Sequence, residues 1–519
     1  SNFEQLHQGY WSFKLISNLG TESINSARFH VNYEAVEIES RKWKKPFRMG
    51  LNAIRVQPEG TGQGYNNIDK VLESIFYSGA QGIRHLQSYD LSWFKIYEGG
   101  GEEDTNNYNF DDANYVINNN YNLYFIPTLF APGAPTQARY FGYVESDHEG
   151  SDTRCHDGGL NWYADLECRW PRYPSAEINK KGKNKLLVSK NSVEEKVVGY
   201  LTAVAQELKD TELKHFEIGN EWSRFPRKRI VKELGMAKWR WSPNDYAKLL
   251  ELSKETLQDI DSNNKIVLGG IFSGENVNDK ELQFIGGKWL KEVLKKIKND
   301  DIIDVASIHS YGNYLLMQKK IQQAREYLDE YGYEKTPIWI TETGLSASVN
   351  TQQEQAEYLV KNFTVAFGEG AEVAMWHTHI SSNDGTDNWG GYGLIPKKKG
   401  SLTNGLYPSF YNYQKLAHSI GNFKNIQAFS KGKKSLWTYE FSGTLYEELG
   451  DNSTKIIAWS DDGENSYDLS DYLESDTKKL HITVMCPNDR GEFETYEVEQ
   501  SNFENVVINE TPLLITPMN

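Results

Sequence analysis

The stretch Lys214-His215-Phe216-Glu217-Ile218-Gly219-Asn220-Glu221-Trp222 holds residue types that suit sugar chemistry. A carboxyl group can give a proton to a leaving oxygen. The amide of Asn220 could hold a sugar hydroxyl, and the indole of Trp222 could flank a ring. Phe216 and Ile218 alternate with polar neighbours, so the stretch reads as a strand that ends in a loop at Gly-Asn-Glu. A second stretch, Thr336-Pro337-Ile338-Trp339-Ile340-Thr341-Glu342-Thr343-Gly344, repeats the pattern. Pro337 is tolerated because it opens the strand. A single strand-end Glu is equally well a salt-bridged residue closing a strand. A second one at an equivalent place weakens that reading.

Cleaving a glycosidic bond takes two carboxyl groups of unlike character. One is held protonated for the leaving oxygen, and the other is ionised and attacks the anomeric carbon. A separation of about 5–5.5 Å gives net retention and roughly 6.5–9.5 Å gives inversion. Sequence alone does not supply that distance.

The elements that must position these groups follow a strand-then-helix rhythm from about residue 49. Strand candidates are Leu51–Gln57, Gly82–Gln87, Leu123–Leu129, His215–Gly219, Lys265–Gly269, Asp304–His309, Ile338–Thr341 and Glu372–Trp376. Helical stripes lie between them: Ile68, Val71, Leu72, Ile75 and Phe76; Val193 through Leu208; Trp289 through Ile297; Ala356 through Phe363. Pro243 opens a further helix. This alternation predicts an α/β fold, a (β/α)8 TIM barrel over residues 49–420, whose catalytic side chains sit at the C-terminal ends of its strands. A doubly wound sheet is the alternative, but Gly60-Thr61-Gly62-Gln63-Gly64 lacks the G-x-G-x-x-G spacing of its phosphate loop. The helix around Tyr411–Ile420 closes the barrel. After it, short alternating runs such as Leu436–Phe441, Lys455–Ser460 and Leu480–Met485 predict an accessory antiparallel β-sandwich over 421–519. Residues 1–48 read as a segment that joins that sheet.

Other strand ends reach the same mouth. Arg84 ends the second strand and could keep a nucleophilic carboxylate ionised. His309 and Tyr311 end the sixth, and Tyr311 could donate a hydrogen bond to that carboxylate. Trp376 ends the eighth and could form a floor for the sugar. Each taken singly also reads as a rim or core residue. The long connections 130–192 and 223–243, with Trp162, Trp170 and Trp239-Arg240-Trp241, read as substrate walls.

Composition narrows the partners. A formal net charge of −16 over 519 residues repels nucleic acid and anionic membrane surfaces. No apolar run reaches the roughly 18–20 residues of a membrane span. Aromatic residues are heavy at 13%, which suits sugar stacking or barrel filling alike. Cys155 and Cys168 form either a disulfide or two free thiols, and no Cys-x-x-Cys zinc spacing is present. No secretory leader is present, and the opening Ser1-Asn2 reads as a cloning remnant. The expected location is secreted, periplasmic or cell-surface, with the cytoplasm as the alternative. The expected partner is a carbohydrate, with no cofactor and no metal; oligomeric state is not legible.

Gly219-Asn220-Glu221, Thr341-Glu342-Thr343-Gly344, His309-x-Tyr311, Trp376 and Trp389-Gly390-Gly391-Tyr392-Gly393-Leu394-Ile395 together resemble the clan A glycoside hydrolases. The resemblance covers about residues 49–420. It implies catalytic Glu residues on the fourth and seventh strands, with Glu221 as acid/base and Glu342 as nucleophile. It further implies a retaining mechanism on a β-linked carbohydrate, with Asn220 on the hydroxyl next to the anomeric carbon. The appended sandwich is similar to families 39 and 30, and to galactan-active members; family 5 belongs to the same clan.

Two rivals differ in class. His377-Thr378-His379, with His85 and His309, could bind zinc in a metal-dependent hydrolase, although such barrels place His-x-His near the first strand. A glycan-binding protein on a decayed barrel is the other, and the retention of both carboxylates argues against it. Asp384 and Asp387 miss the EF-hand spacing and read as a turn. Trp437, Tyr439 and Trp459 could bind carbohydrate on the sandwich, against a plain structural role.

Overall fold

The computed structural model describes residues 47–52, 68–84, 91, 110–119, 123–129, 190–221, 223, 243–272, 285–299, 301–312, 314–381, 391–396, 406–433, 435–445, 453–488 and 491–519. Trp222, His85, Cys155, Cys168, the Gly60–Gly64 loop, Asp384, Asp387, Trp389, residues 1–46 and most of both long connections lie outside them.

Parallel strands make a closed ring. They are β1 (Met49–Asn52), β2 (Gly82–Arg84), β3 (Tyr124–Ile126) with its continuation β4 (Thr128–Leu129), β5 (His215–Ile218), β6 (Lys265–Leu268), β7 (Ala306–His309), β8 (Ile338–Thr343) and β9 (Ala371–His377). Pro127 interrupts the third stave because it has no N–H to donate, while its carbonyl accepts from Glu217 N at 3.0 Å. β1 pairs with both β2 and β9, which closes one side. β6 meets β7 through the bridges Val267–Val305 and Ile271–Ile308, which closes the other. The fold is thus the (β/α)8 barrel that the alternation predicts, with eight staves among the described residues.

The helices α1 (Ile68–Tyr77), α2 (Asp111–Asn119), α3 (Lys190–Leu208), α4 (Pro243–Ile260), α5 (Ile285–Leu294), α6 (Tyr314–Glu330), α7 (Gln352–Gly368) and α8 (Pro408–Ile420) alternate with the strands. α4 and α8 open on proline, whose fixed φ suits a first helical turn. α7 opens on a capping box between Thr351 and Glu354. No described helix is long and apolar enough to cross a membrane.

Strand periodicity sorts the side chains. Ala374 and Trp376 of β9 join the core beneath the helices, whereas Val373 and Met375 join a separate cluster with Phe47, Tyr124, Ile126, Val267, Val305 and Trp339 that fills the barrel interior. On β5, Phe216 and Ile218 face the helix layer. His215 stacks on Trp339 of the inner cluster at 5.0 Å, so the inward row of β5 runs His215, Glu217 and on towards the mouth. The apolar half of the alternation therefore holds the helices, and the polar half supplies the site.

After α8, a six-stranded antiparallel sheet runs β10 (Phe423–Lys433), β11 (Leu436–Thr444), β12 (Lys455–Ser460), β17 (Leu513–Met518), β14 (Lys479–Val484) and β15 (Thr495–Glu499). β13 (Asn465–Tyr467) pairs with β16 (Val506–Ile508) as a second layer. One face, with Leu436, Ile456, Ala458, Leu480 and Ile515, packs on that layer. The other, with Trp437, Tyr439, Phe441, Ile457 and Trp459, packs on the barrel. β10 escapes the sequence pattern because this edge strand is largely exposed and has no clean alternation. β17 escapes it because Leu513-Leu514-Ile515 is buried on both faces and reads as a continuous apolar run.

Candidate active site

Arg84 ends β2 and is fully buried. Its guanidinium organises the mouth. Nε donates to Glu217 Oε2 at 2.6 Å, Nη1 to Glu342 Oε1 at 2.7 Å and to Asn52 Oδ1 at 2.9 Å, and Nη2 to Asn220 Oδ1 at 2.7 Å. A buried guanidinium is tolerable only when its charge and donors are matched, and here two carboxylates match it. Burial alone would lower its pKa, but Glu217 and Glu342 raise it further above its ordinary value. Arg84 therefore carries a permanent charge inside the barrel.

Glu342 is placed by an irregularity in β8. Ile308 of β7 pairs with Ile340, yet the next residue, His309, pairs with Glu342. The extra residue in β8 re-aims its end, as bulges beside active sites commonly do. Thr341 turns to Ser307, Oγ1 to Oγ at 2.5 Å, and Glu342 reaches the mouth. Oε1 accepts from Arg84, and Oε2 accepts from the Tyr311 hydroxyl at 2.6 Å. Burial pushes the Glu342 carboxyl up. The imidazoles of His309 and His377, the Arg84 charge and the Tyr311 hydrogen bond outweigh it and hold the group well below the usual carboxylate range. Burial, with the charges of Glu342 and Glu221, raises Tyr311 well above its ordinary value and keeps it a phenol that donates.

Glu221 lies just beyond β5. Gly219 has φ 82°, and Glu221 itself has φ 52°, a left-handed conformation uncommon for a residue with a Cβ. Such conformations collect at functional sites because the surroundings must hold them, and here Glu221 N donates to Gly270 O at 3.0 Å. The turn brings Glu221 to His309, whose Nδ1 lies 2.8 Å from Glu221 Oε1 and 3.3 Å from Glu342 Oε2. One imidazole edge touches both carboxyl groups, and the three donor atoms of this trio lie within 4.8 Å of one another. The His309 ring rests on Gly270, where an added Cβ would sit 1.9 Å from Nε2. Only glycine allows this approach.

Two carboxylates and an imidazole could also ligate a cation. Arg84 stands against this use, because a fixed positive charge already lies 2.7 Å from Glu342. The His-x-His pair is split as well. His377 Nδ1 is 3.6 Å from Glu342, whereas His379 Nε2 meets Ser74 Oγ of α1 at 2.7 Å.

Trp376 corrects the sequence reading. It is fully buried, gives Nε1 to Tyr392 O at 2.9 Å and packs edge-on against Tyr358 of α7. It faces the helix layer and cannot be a sugar floor. Period two makes its neighbour His377 follow Val373 and Met375 on the inward face, in register with Asn52. Trp437, Tyr439 and Trp459 are also buried, stacked between sheet and barrel, and are not a glycan platform.

Glu217 belongs to the site although its own sequence signal went unused. It is fully buried, and besides Arg84 it accepts from Thr128 Oγ1 at 2.9 Å, Ser307 Oγ at 3.1 Å and Gly270 N at 3.2 Å. Its place two residues after His215 on a period-two strand would have put it inward. Asn52 went unnoticed because a polar residue inside a strand pattern draws no attention. Trp222 lies outside the described residues.

The fold has counterparts. A family described as the glycosyl hydrolase catalytic core matches residues 240–406, a span that includes His309, Tyr311 and Glu342 but not Glu221. Among solved structures, a family 39 glycoside hydrolase from the gut symbiont Bacteroides cellulosilyticus WH2 aligns with TM-score 0.57 at 15% identity, over 91% of this chain and 81% of that one. An α-L-arabinofuranosidase from Thermotoga maritima aligns with TM-score 0.50 at 12% identity, over 92% and 97%. A monomeric β-xylosidase from Caulobacter crescentus CB15 aligns with TM-score 0.51 at 12% identity, over 91% and 99%. At such identities the shared property is the fold. No curated protein sequence matches. The match over residues 240–406 supports the glycoside hydrolase resemblance, with no single family assigned.

Proposed function

We propose that the chain is a retaining glycoside hydrolase in which Glu342 is the nucleophile and Glu221 the acid/base. One observation carries this reading: oxygens of the two carboxylates lie within 4.8 Å of one another, in unlike surroundings. That spacing agrees with the roughly 5–5.5 Å of retaining pairs, while inverting pairs stand roughly 6.5–9.5 Å apart to admit a water. Glu342 is held ionised by Arg84 and Tyr311, as an attacking carboxylate must be.

In the first step Glu342 attacks the anomeric carbon while the bond to the departing oxygen breaks. Glu221 passes its proton to that oxygen, and a glycosyl ester remains on Glu342. In the second step Glu221 takes a proton from water. The water oxygen displaces the ester, Glu342 is regenerated and the configuration is retained. Asn220 accepts from Arg84 at its carbonyl oxygen, which turns its NH2 to the other side, where it can meet a sugar hydroxyl. The expected substrate is a β-linked oligo- or polysaccharide, met outside the cytoplasm.

The test is a screen of wild type, Glu221→Gln and Glu342→Gln against plant, algal and host polysaccharides and aryl glycosides, α-L-arabinofuranosides included. The anomeric configuration of the first-formed product is read by NMR. Wild-type turnover with retention, lowered by orders of magnitude in both variants, is expected. Inverted product, or near-normal activity in either variant, would overturn the assignment.

A further inference from the structure

His377 stands beside Glu342 with a ring nitrogen that lacks a hydrogen-bond partner among the described residues. That nitrogen, Nδ1, is turned in towards the nucleophile and buried. Glu342 Oε2 lies 3.6 Å away, beyond hydrogen-bond reach, and that oxygen already accepts from Tyr311. The ring is fixed in place. Tyr311 and Tyr392 meet it edge-on at 5.9 and 5.7 Å between centroids, and each other at 5.8 Å. Behind it, the His377 carbonyl crowds Gly344 so closely that a Cβ there would lie 2.4 Å from the oxygen. Yet 23% of the side chain stays exposed. Since Nδ1 is buried, this exposure belongs to other atoms of the side chain, beside the group that attacks the sugar. Two aromatic rings and a backbone contact thus hold the imidazole in place beside the nucleophile. Unused polar capacity in a closed site is costly, so such a group gains from a partner supplied by a ligand.

We propose that His377 positions the sugar unit attacked by Glu342 by accepting a hydrogen bond from one of its hydroxyls at Nε2, and so selects a neutral sugar. This deepens the glycosidase reading and rests on it. The two ring nitrogens take different roles. A proton on Nδ1 faces the Glu342 carboxylate, which leaves Nε2 as an acceptor. Burial lowers the His377 pKa even though Glu342 pulls it up, so the ring is neutral in the working range. A neutral acceptor takes an O–H but gains nothing from a carboxylate or sulfate at the same place, since those groups bring no proton and Glu342 repels them. Arg84 does not offset that repulsion, because its single positive charge is already matched by Glu217 and Glu342.

The test uses the full chain and 4-nitrophenyl glycosides: β-xyloside, β-glucoside, β-galactoside, α-L-arabinofuranoside and β-glucuronide. It adds the monodeoxy series of whichever is cleaved best. Variants are His377→Phe, which keeps ring shape, and His377→Gln, which keeps an acceptor. A neutral glycoside is expected to lead the glucuronide. His377→Phe lowers kcat/KM by about 10- to 100-fold on it, the size of one hydrogen bond formed in the transition state. His377→Gln recovers part of that loss. One monodeoxy analogue costs wild type a similar factor and makes it indifferent to His377→Phe, which a merely structural role would not produce. Should His377→Phe misfold, the monodeoxy series on wild type decides alone. The inference is overturned by a wild type that prefers the glucuronide, by His377→Phe matching wild type, or by a series in which no single deoxygenation costs activity. A wild type that cleaves no glycoside and is not labelled at Glu342 by 2-deoxy-2-fluoro glycosides would overturn the glycosidase reading itself.

Discussion

The barrel mouth and the barrel-facing side of the C-terminal sheet are both enclosed and both rich in aromatic rings, but their interactions differ in kind. In the sheet, Trp437, Tyr439 and Trp459 stack within 6.4 Å of one another, and Gly368 of α7 admits the Tyr439 ring, where a Cβ would lie 2.2 Å from it. Their few polar ties, such as Trp437 Nε1 to Asp461 Oδ2 at 2.6 Å and Tyr314 to Asp461, lie along the seam with the barrel. At the mouth, rings are secondary. Tyr311, Tyr392 and His377 wall a group of charges built on Arg84, Glu217 and Glu342. Aromatic abundance therefore does not locate a sugar site in this chain. Matched buried charge is what sets the mouth apart.

That contrast is open to attack by substitution. The largest effect is expected for Arg84→Met. Removing one partner of a buried ion pair leaves Glu217 uncompensated, at a cost of about 3–5 kcal/mol, and Glu342 loses its fixed cation. Denaturant unfolding and kcat/KM should both fall, and an unfolding midpoint unchanged from wild type would show that Glu217 does not depend on Arg84. Trp459→Ala should cost about 3 kcal/mol or more through the cavity it leaves, while turnover per folded molecule stays at the wild-type level. A specific loss of activity in that variant would erase the distinction between the two regions.

Smaller effects sharpen the mouth. Gly270→Ala forces the His309 ring away from both carboxyl groups, and we expect about a 10- to 100-fold fall in kcat/KM with little change in Tm. Tyr311→Phe removes a donor that favours ionised Glu342. Since that donor lowers the Glu342 pKa, its loss raises it. The acid limb of kcat/KM should move to higher pH by about one unit, and a stationary limb would assign it to another group. The smallest effect concerns His379, which burial pushes down to about 3. Its folded pKa lies below the unfolded value of about 6.5, so the unfolded chain binds the extra proton and stability falls as pH drops between the two. One such group contributes about 1 kcal/mol of loss between pH 6 and pH 5. His379→Asn should flatten urea-derived stability over that interval.

Much of the fold was legible because the apolar half of each strand packs under helices, and that packing imposes a period the sequence displays. Phe216 and Ile218 announced β5 in this way, and the stripe Val71, Leu72 and Ile75 announced α1. Strand ends were less legible, since the pattern stops where polar residues begin. β10 was missed because an exposed edge shows no alternation. Glu221 and Glu342 stood out as carboxylates closing apolar strands. Glu217 did not, because a polar residue inside a strand pattern looks like an ordinary solvent-facing one. Trp376 misled because a large ring at a strand end attracts attention, whereas parity along β9 assigns that position to the helices.

By itself the sequence determined the strand and helix order, the barrel class and the pairing of two strand-end carboxylates, since these depend on local periodicity and residue type. Tertiary structure alone decided how far apart the carboxylates stand, that Arg84 joins Glu217 to Glu342, and that His377 rather than Trp376 faces inward at the end of β9. Those outcomes depend on register: one additional residue in β8 sets Glu342 against His309, and a one-residue change of parity exchanges the inside of a barrel for its outside.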